Sequence, residues 1–409
     1  MAGRPTILIV EENAHLLEGH FPVRFAQLAE GYAELGYRVE VLTTWGWSRT
    51  GETPNSFTLH RLGPTARQFR RLAGRLRACG DSTATRRFLN TTGDALAYAT
   101  VVYSIRSLAG RMTPPPDAIA IMGFDTEPRY VAALAGDGHW LINQFKDPDL
   151  VFGWRSRFVE RAVTASARRA ESRRRARGGG MRIAAANEQW RSRWAQDALF
   201  LEPIVIPIAG ARKFDRAPDA RERLGIASDR RVALLFGAPD SKRVDTVIDA
   251  FDRLDDWTLV VGGLVADVAQ RTATPSERMR LHPGIVDNTT RDLLLSAADL
   301  MVLSFDAGYE RNSGTLMDAI SASLPIVCSA RSLAGDVVER YRLGPLFEPG
   351  DASALVDAVG RAPLELDPAV AQRAHEELSS RAVARRQLEV LGVVPSNDTS
   401  PTASASIAE

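Results

Sequence analysis

SFDAGYERNSGTLMDAISASLPIVCS, running from Ser304 to Ser329, decides the fold of this chain. It reads as the end of a strand, a polar loop, a helix and a second buried strand. The Ser313-Gly314 pair makes the turn that opens the helix, and a glycine there lets backbone N–H groups come close to an anion. A helix N-terminus also favours negative charge. Glu310 and Asp318 stand eight residues apart around that turn. Asp318, about one turn inside the helix, is placed to accept hydrogen bonds from a ribose. Loop glycine, helix dipole and carboxylate together describe a nucleotide-diphosphate site. An ordinary βαβ crossover with a capped helix accounts for the same residues equally well.

The surroundings of that segment repeat its rhythm. From Arg231 the chain runs RVALLFGAPDSKRVDTVIDAFDRLDDWTLVVGG, an apolar strand, a short polar turn, an amphipathic helix and another apolar strand. HPGIV from His282, TRDLLLSAADL from Thr290 and MVLSF from Met301 then lead into the opening stretch. The N-terminal half alternates in the same way. TILIV, YRVEVLTT, FTLHRL, DAIAIMG, WLINQF and RIAAAN read as strands, with FAQLAEGYAEL (Phe25 to Leu35) as a helix. Alternating strand and helix predicts doubly wound parallel sheets, whose ligands bind beyond the C-terminal strand ends.

Length and composition agree with two such domains. A chain of 409 residues is too long for one core. Its 45% apolar and 25% charged content is that of a globular protein. TILIV is only a strand long and no apolar stretch approaches a membrane span, so a cytoplasmic location is expected. Cys79 and Cys328 lie far apart, and Cys328, within PIVCS, reads as a buried small hydrophobe.

The near-neutral charge hides an asymmetry: residues 1–200 carry 28 basic and 19 acidic side chains, the remainder 23 and 31. The excess concentrates in Arg67 to Arg77 and in Arg155 to Arg182. Solvated helix faces explain such runs. The first also sets Phe69, Leu72 and Leu76 at helical spacing, which suits either peripheral contact with an anionic membrane or an anionic acceptor. No nucleic-acid motif accompanies the charge. Only three of the 51 basic residues are lysines, namely Lys146, Lys213 and Lys242. Such lysines mark places where a compact ammonium suits better than a planar guanidinium, as on a phosphate. Asp147-Pro148-Asp149 has the spacing of a metal-binding pair but reads as a turn, no cysteine–histidine cluster has zinc spacing, and no metal is expected.

On the ordered elements Gly237 to Lys242, Gly262-Gly263, Glu310 to Asp318 and the later GDASALVDAV from Gly350, the chain resembles the retaining GT-B glycosyltransferases of the family-four type. The resemblance covers residues 200–365 well and the N-terminal half more loosely. It implies GT-B architecture: two Rossmann-like doubly wound domains facing a central cleft. Residues 1–204 would bind the acceptor and 205–379 the nucleotide-sugar donor, with Pro203 to Phe214 as the connection. A C-terminal helix near 380–392 would rejoin the first domain, and 393–409 would form a disordered tail. The implied reaction moves a sugar from a nucleotide-diphosphate sugar, UDP by default, to a hydroxyl with retention. The acceptor would be a glycan, a lipid-linked sugar or a small natural product. No divalent metal or other cofactor is implied.

By the same resemblance, Lys242, with Gly237, Ser313, Gly314 and Thr315, meets the diphosphate. Asp318 meets the ribose, backbone near Val286 the base, and Glu310 the sugar hydroxyls. Gly19 and His20 stand where the family has its Gly-Gly loop after the first strand, and His20 either meets donor phosphate or acceptor or caps local structure. By position after their strands, Lys146, Trp45 and Trp47 are the candidates for the acceptor side, with ordinary loop packing an equal reading of the two tryptophans. The chain departs from the family in several places. GAPDSKR lacks the arginine usually found before the lysine, and Arg243 replaces the usual following glycine, so Arg243 is the implied substitute charge. Asp318 stands where glutamate is usual. Gln144-Phe145-Lys146 stands where a histidine is often found. These departures leave open a GT-B nucleotide-sugar epimerase or a catalytically silent partner subunit.

Overall fold

The computed structural model describes residues 4–11, 21–43, 57–61, 68, 72, 96, 99–123, 128–144, 157–197, 201–207, 209–236, 242–263, 278–284, 286–309 and 313–393. Two compact units divide the chain: residues 1–207 with 380–409, and residues 208–379.

The first unit is built on seven parallel strands: β1 (Thr6–Glu11), β2 (Arg38–Thr43), β3 (Phe57–Arg61), β4 (Ala118–Gly123), β5 (His139–Gln144), β6 (Gly180–Ala185) and β7 (Glu202–Val205). Their order is β3-β2-β1-β4-β5-β6-β7, so the winding reverses between β1 and β4. The strands read as continuous apolar runs because helices cover both faces of such a sheet. All of β1, TILIVE, is buried. β7 extends to Val205, pairing Ala185 with Val205, so the predicted connection at Pro203 begins inside a strand.

The second unit carries β8 (Arg231–Phe236), β9 (Trp257–Gly263), β10 (Met279–Pro283), β11 (Leu300–Leu303), β12 (Ile326–Ser329) and β13 (Leu346–Phe347). They lie parallel in the order β10-β9-β8-β11-β12-β13, and the winding reverses between β8 and β11. Helix Gly314–Ser321 is buried along all of its residues, packed in the core with Leu303, Phe305 and Ile326.

The C-terminal helix Ser380–Leu391 returns to the first unit. There the buried Gln387 accepts a hydrogen bond from Tyr32 Oη and donates to Asn143 Oδ1 at 3.0 Å. Tyr37 Oη donates to the Val393 carbonyl. Helix Phe21–Glu34 admits this return at Gly31, where a Cβ would lie 2.3 Å from the Ser380 carbonyl oxygen. Backbone cannot yield as a flexible side chain can, so Gly31→Ala is expected to cost about 1–3 kcal/mol through overpacking. Thermal melting checks this, and an unchanged midpoint would show that the helix docks with slack at this point.

Of the basic runs, Arg67 to Arg77 lies outside the described residues apart from Gln68 and Leu72. The second run includes helix Arg157–Ala176, and it is not simply a solvated face: Arg174 is 1% exposed. Among the described residues no helix is long and apolar enough to cross a membrane.

Candidate active site of the second unit

In an open parallel sheet, chains leaving adjacent strands on either side of the reversal open a crevice at the C-terminal strand ends. In the second unit that point lies between β8 and β11, which pair at Leu300↔Ala233 and Met301↔Leu234. Lys242 and Arg243 follow β8, and Ser304 to Tyr309 follow β11.

Three contacts fasten these two segments. Lys242 Nζ donates to the Phe236 carbonyl, the last residue of β8, and stands 5.9 Å from the centre of the Phe305 ring. Arg243 Nε pairs with the Asp306 carboxylate. Ser304 Oγ donates to the Arg243 carbonyl at 3.4 Å. Phe305 is itself held by its N–H on Ser329 Oγ at 2.9 Å and by stacking on Tyr309, with ring centres 4.4 Å apart. Although Lys242 as a residue is only half-buried, its ammonium points inward. Burial pushes its pKa down to about 8, while the Asp318 charge works in the opposite sense. Near neutral pH it remains a cation.

Helix Gly314–Ser321 begins at the same edge. Ser313 caps it, Oγ accepting from Leu316 N at 3.3 Å and sharing a hydrogen bond with Thr315 Oγ1 at 2.8 Å. The positive end of the helix dipole therefore opens at the strand-end edge that Lys242 also follows. Asp318, one turn further, is 8% exposed, and Arg291 Nη1 lies 3.8 Å from its Oδ1. Arg291 in turn stands 3.6 Å from Asp292, which pairs with Arg212. The result is an alternating row of charges: Arg212, Asp292, Arg291, Asp318.

The β9 and β10 ends complete the edge. Gly284 (φ +95°) donates its N–H to the Gly263 carbonyl at 3.0 Å, and Gly263 itself has φ +110°. Neither conformation suits a residue with a Cβ. At Gly262 a Cβ would lie 2.9 Å from the Phe236 ring, so this glycine is required by packing. Val286 follows, half-buried against the core, and Asp287 caps helix Asn288–Ala297 by accepting from Thr290 N at 2.7 Å.

Lys242, Arg243, Val286, Ser313, Gly314, Thr315 and Asp318 therefore share one edge of one sheet. Gly19, His20, Trp45, Trp47, Lys146, Gly237 and Glu310 lie outside the described residues. Sequence reasoning missed Asp306, Arg291, Asp292 and Arg212. Apart from the adjacent pair Arg291 and Asp292, their partners stand 27 to 80 residues away, so no local spacing pointed to them. Among the described residues no group of three histidines, cysteines or carboxylates is arranged to hold a metal.

Residues 230–362 match the family model described as glycosyl transferases group 1. That segment, in the second unit, is what the chain shares with the group 1 glycosyltransferases. Solved structures extend the likeness in fold along nearly its whole length. Sucrose-phosphate synthase from Thermosynechococcus elongatus is 15% identical, covers 95% of each chain and gives a TM-score of 0.58. Anabaena Alr3699/HepE in complex with UDP is 14% identical over 95% of this chain and 99% of its own, with a TM-score of 0.62. A UDP-forming α,α-trehalose-phosphate synthase from Burkholderia xenovorans is 12% identical over 96% and 99%, with a TM-score of 0.57. No sequence of a curated protein matches. The two units each carry a parallel sheet, as GT-B glycosyltransferase structures do, and the matched family segment supports sugar transfer as the general chemistry.

Proposed function

We propose that this glycosyltransferase moves a sugar from a nucleotide-diphosphate sugar, with UDP as the nucleotide, to an acceptor hydroxyl with retention of configuration. The observation that carries the reading is the inward ammonium of Lys242 at the strand reversal, beside the capped start of helix Gly314–Ser321. Charge develops on the departing diphosphate in the transition state, and fixed donors aimed there lower the barrier. Lys242, Ser313, Gly314 and Thr315 take that role, with Gly237, the residue after β8. Asp318 holds the ribose, backbone near Val286 the base, and Glu310 the sugar hydroxyls. Gly19 and His20, which follow β1 in sequence, serve donor phosphate or acceptor, and Lys146, Trp45 and Trp47 serve the acceptor. The acceptor is a glycan, a lipid-linked sugar or a small natural product. The cationic lysine and the helix end do without a divalent metal the work that a metal ion does elsewhere. The UDP ligand of the Anabaena structure supports the choice of base.

Titration with UDP, GDP, ADP and TDP, with and without EDTA, tests the donor reading, and it carries a pH signature. The binding form of Lys242 is protonated, and its pKa in the free protein is lowered to about 8. A bound diphosphate raises it, so proton and ligand bind cooperatively. UDP affinity is therefore expected to be flat between about pH 7, where the terminal phosphate is ionised, and about pH 8. Above it, affinity should weaken by up to about tenfold per pH unit until the pKa of the complex is reached. Micromolar UDP binding that survives EDTA and shows this bend supports the proposal. Failure of all four nucleotides to bind would sink it. Product analysis by NMR of the anomeric proton then tests retention.

A further inference from the structure

Arg243, the substitute charge that the resemblance implies for the donor site, has a partner in the structure, Asp306. Its Nε, and not its terminal nitrogens, makes the contact with Asp306. A guanidinium gripped at Nε still presents its two terminal nitrogens as a fork, the geometry that suits two oxygens of a phosphate. The grip is built on backbone that is itself fastened. Ser304 Oγ bonds the Arg243 carbonyl at 3.4 Å, and the Phe305 backbone N–H bonds Ser329 Oγ at 2.9 Å. Gly308 N donates to the Arg331 carbonyl at 2.7 Å, tying down the far side of the Asp306 turn. Asp306 thus stands on a fixed turn, whereas Arg243 is a long side chain that is 57% exposed. An ion pair this exposed contributes little to stability. Its effect lies in where it holds the guanidinium.

We propose that Asp306 is a positioning residue: it holds Arg243 at Nε so that the guanidinium fork is pre-aimed at the donor diphosphate beside Lys242. The inference rests on the donor reading above and extends it to a residue outside the acidic pair Glu310 and Asp318. It makes a prediction of unexpected sign. By charge alone, removing a carboxylate beside an anion site should tighten anion binding. If Asp306 acts by ordering Arg243, removing it should weaken binding, because the freed side chain must then be immobilised by the ligand itself.

The test is isothermal titration of the full chain with UDP and, separately, UMP. The proteins are wild type, Asp306→Ala, Asp306→Asn, Arg243→Ala and the Arg243→Ala/Asp306→Ala double variant. UDP affinity is expected to fall about three- to tenfold in Asp306→Ala, the range set by ordering one long side chain. Asp306→Asn, which keeps an oxygen for Nε, should lose less. In the Arg243→Ala background the Asp306 effect should disappear, and UMP, lacking the outer phosphate, should be insensitive throughout. Tighter or unchanged UDP binding in Asp306→Ala would overturn the inference while leaving the donor reading intact, as would a loss that persists without Arg243. A wild-type protein that binds no nucleoside diphosphate removes both. Both side chains are at the surface, and unchanged melting of the variants confirms that folding is not the cause.

Discussion

Lys242→Met is expected to cut turnover of the donor sugar by about 10²–10³-fold, the loss seen when one donor to developing negative charge is removed. Methionine keeps most of the volume against Phe305 and removes only the charge. Lys242→Arg should not rescue. The ammonium is seated on the Phe236 carbonyl at the end of β8, next to an aromatic face, and a planar guanidinium is too broad for that seat. Stability should move the other way. The folded-state pKa of about 8 lies below the ordinary value of 10.5, so folding opposes the proton on this group. That opposition is complete below about pH 8 and fades as pH rises towards the unfolded value. At neutral pH, Lys242→Met should therefore melt at the same temperature as wild type or higher. A residue that costs stability and sustains turnover is what an active site is expected to hold. Steady-state kinetics beside thermal melting checks both halves. Turnover within threefold of wild type would remove Lys242 from the chemistry, and a lower melting temperature would mean that its contribution is structural.

What the sequence disclosed about this site follows from the range of the interactions involved. The strands were legible because parallel strands buried on both faces become short, nearly continuous apolar runs, as in TILIV and RVALLF. Ser313-Gly314 was legible because capping and close approach are local requirements of a helix start. Lys242 stood out because lysine is so scarce in an arginine-rich chain. Asp306 and Arg291 carried no such mark. Each is an ordinary charged residue in a polar loop or helix, and its significance comes from a partner brought near by the sheet. Arg243 is 63 positions from Asp306, and they meet only because β8 and β11 are neighbours across the reversal. Arg291 meets Asp318 because helices Asn288–Ala297 and Gly314–Ser321 flank the connecting strand β11. The first unit gives a sharper case. Arg155 to Arg182 looks uniformly solvated by composition, yet one of its arginines is among the largest fully buried side chains of the protein.

That arginine carries the second large expectation: Glu171→Ala should destabilise the first unit by about 3–5 kcal/mol. Arg174 and Glu171 pair within helix Arg157–Ala176 with side chains only 1% and 3% exposed. Arg174 also supplies donors to the end of helix Pro128–Leu134 and the residues after it: Nε to Gly136 O at 2.9 Å, and Nη2 to Ala132 O at 3.2 Å and Ala135 O at 3.3 Å. Helix ends leave carbonyls without intrahelical partners, and here a buried guanidinium satisfies them. Glu171 is equally committed, accepting from Met181 N at 3.1 Å at the start of β6 and from Arg175 Nε at 2.9 Å. One ion pair therefore joins two helices to a strand. Removing the carboxylate strands a buried cation and an amide, which costs far more than the attraction itself. Glu171→Gln, keeping shape and acceptor, should lose less than Glu171→Ala, and exposed neighbours such as Arg169→Ala and Arg173→Ala should stay within about 0.5 kcal/mol. Denaturant unfolding of the four variants at low and high salt distinguishes the cases, because a buried pair is screened much less than a surface one. A Glu171→Ala loss below 1 kcal/mol would mean that water reaches Arg174, and the arginine run would then be a solvated face after all.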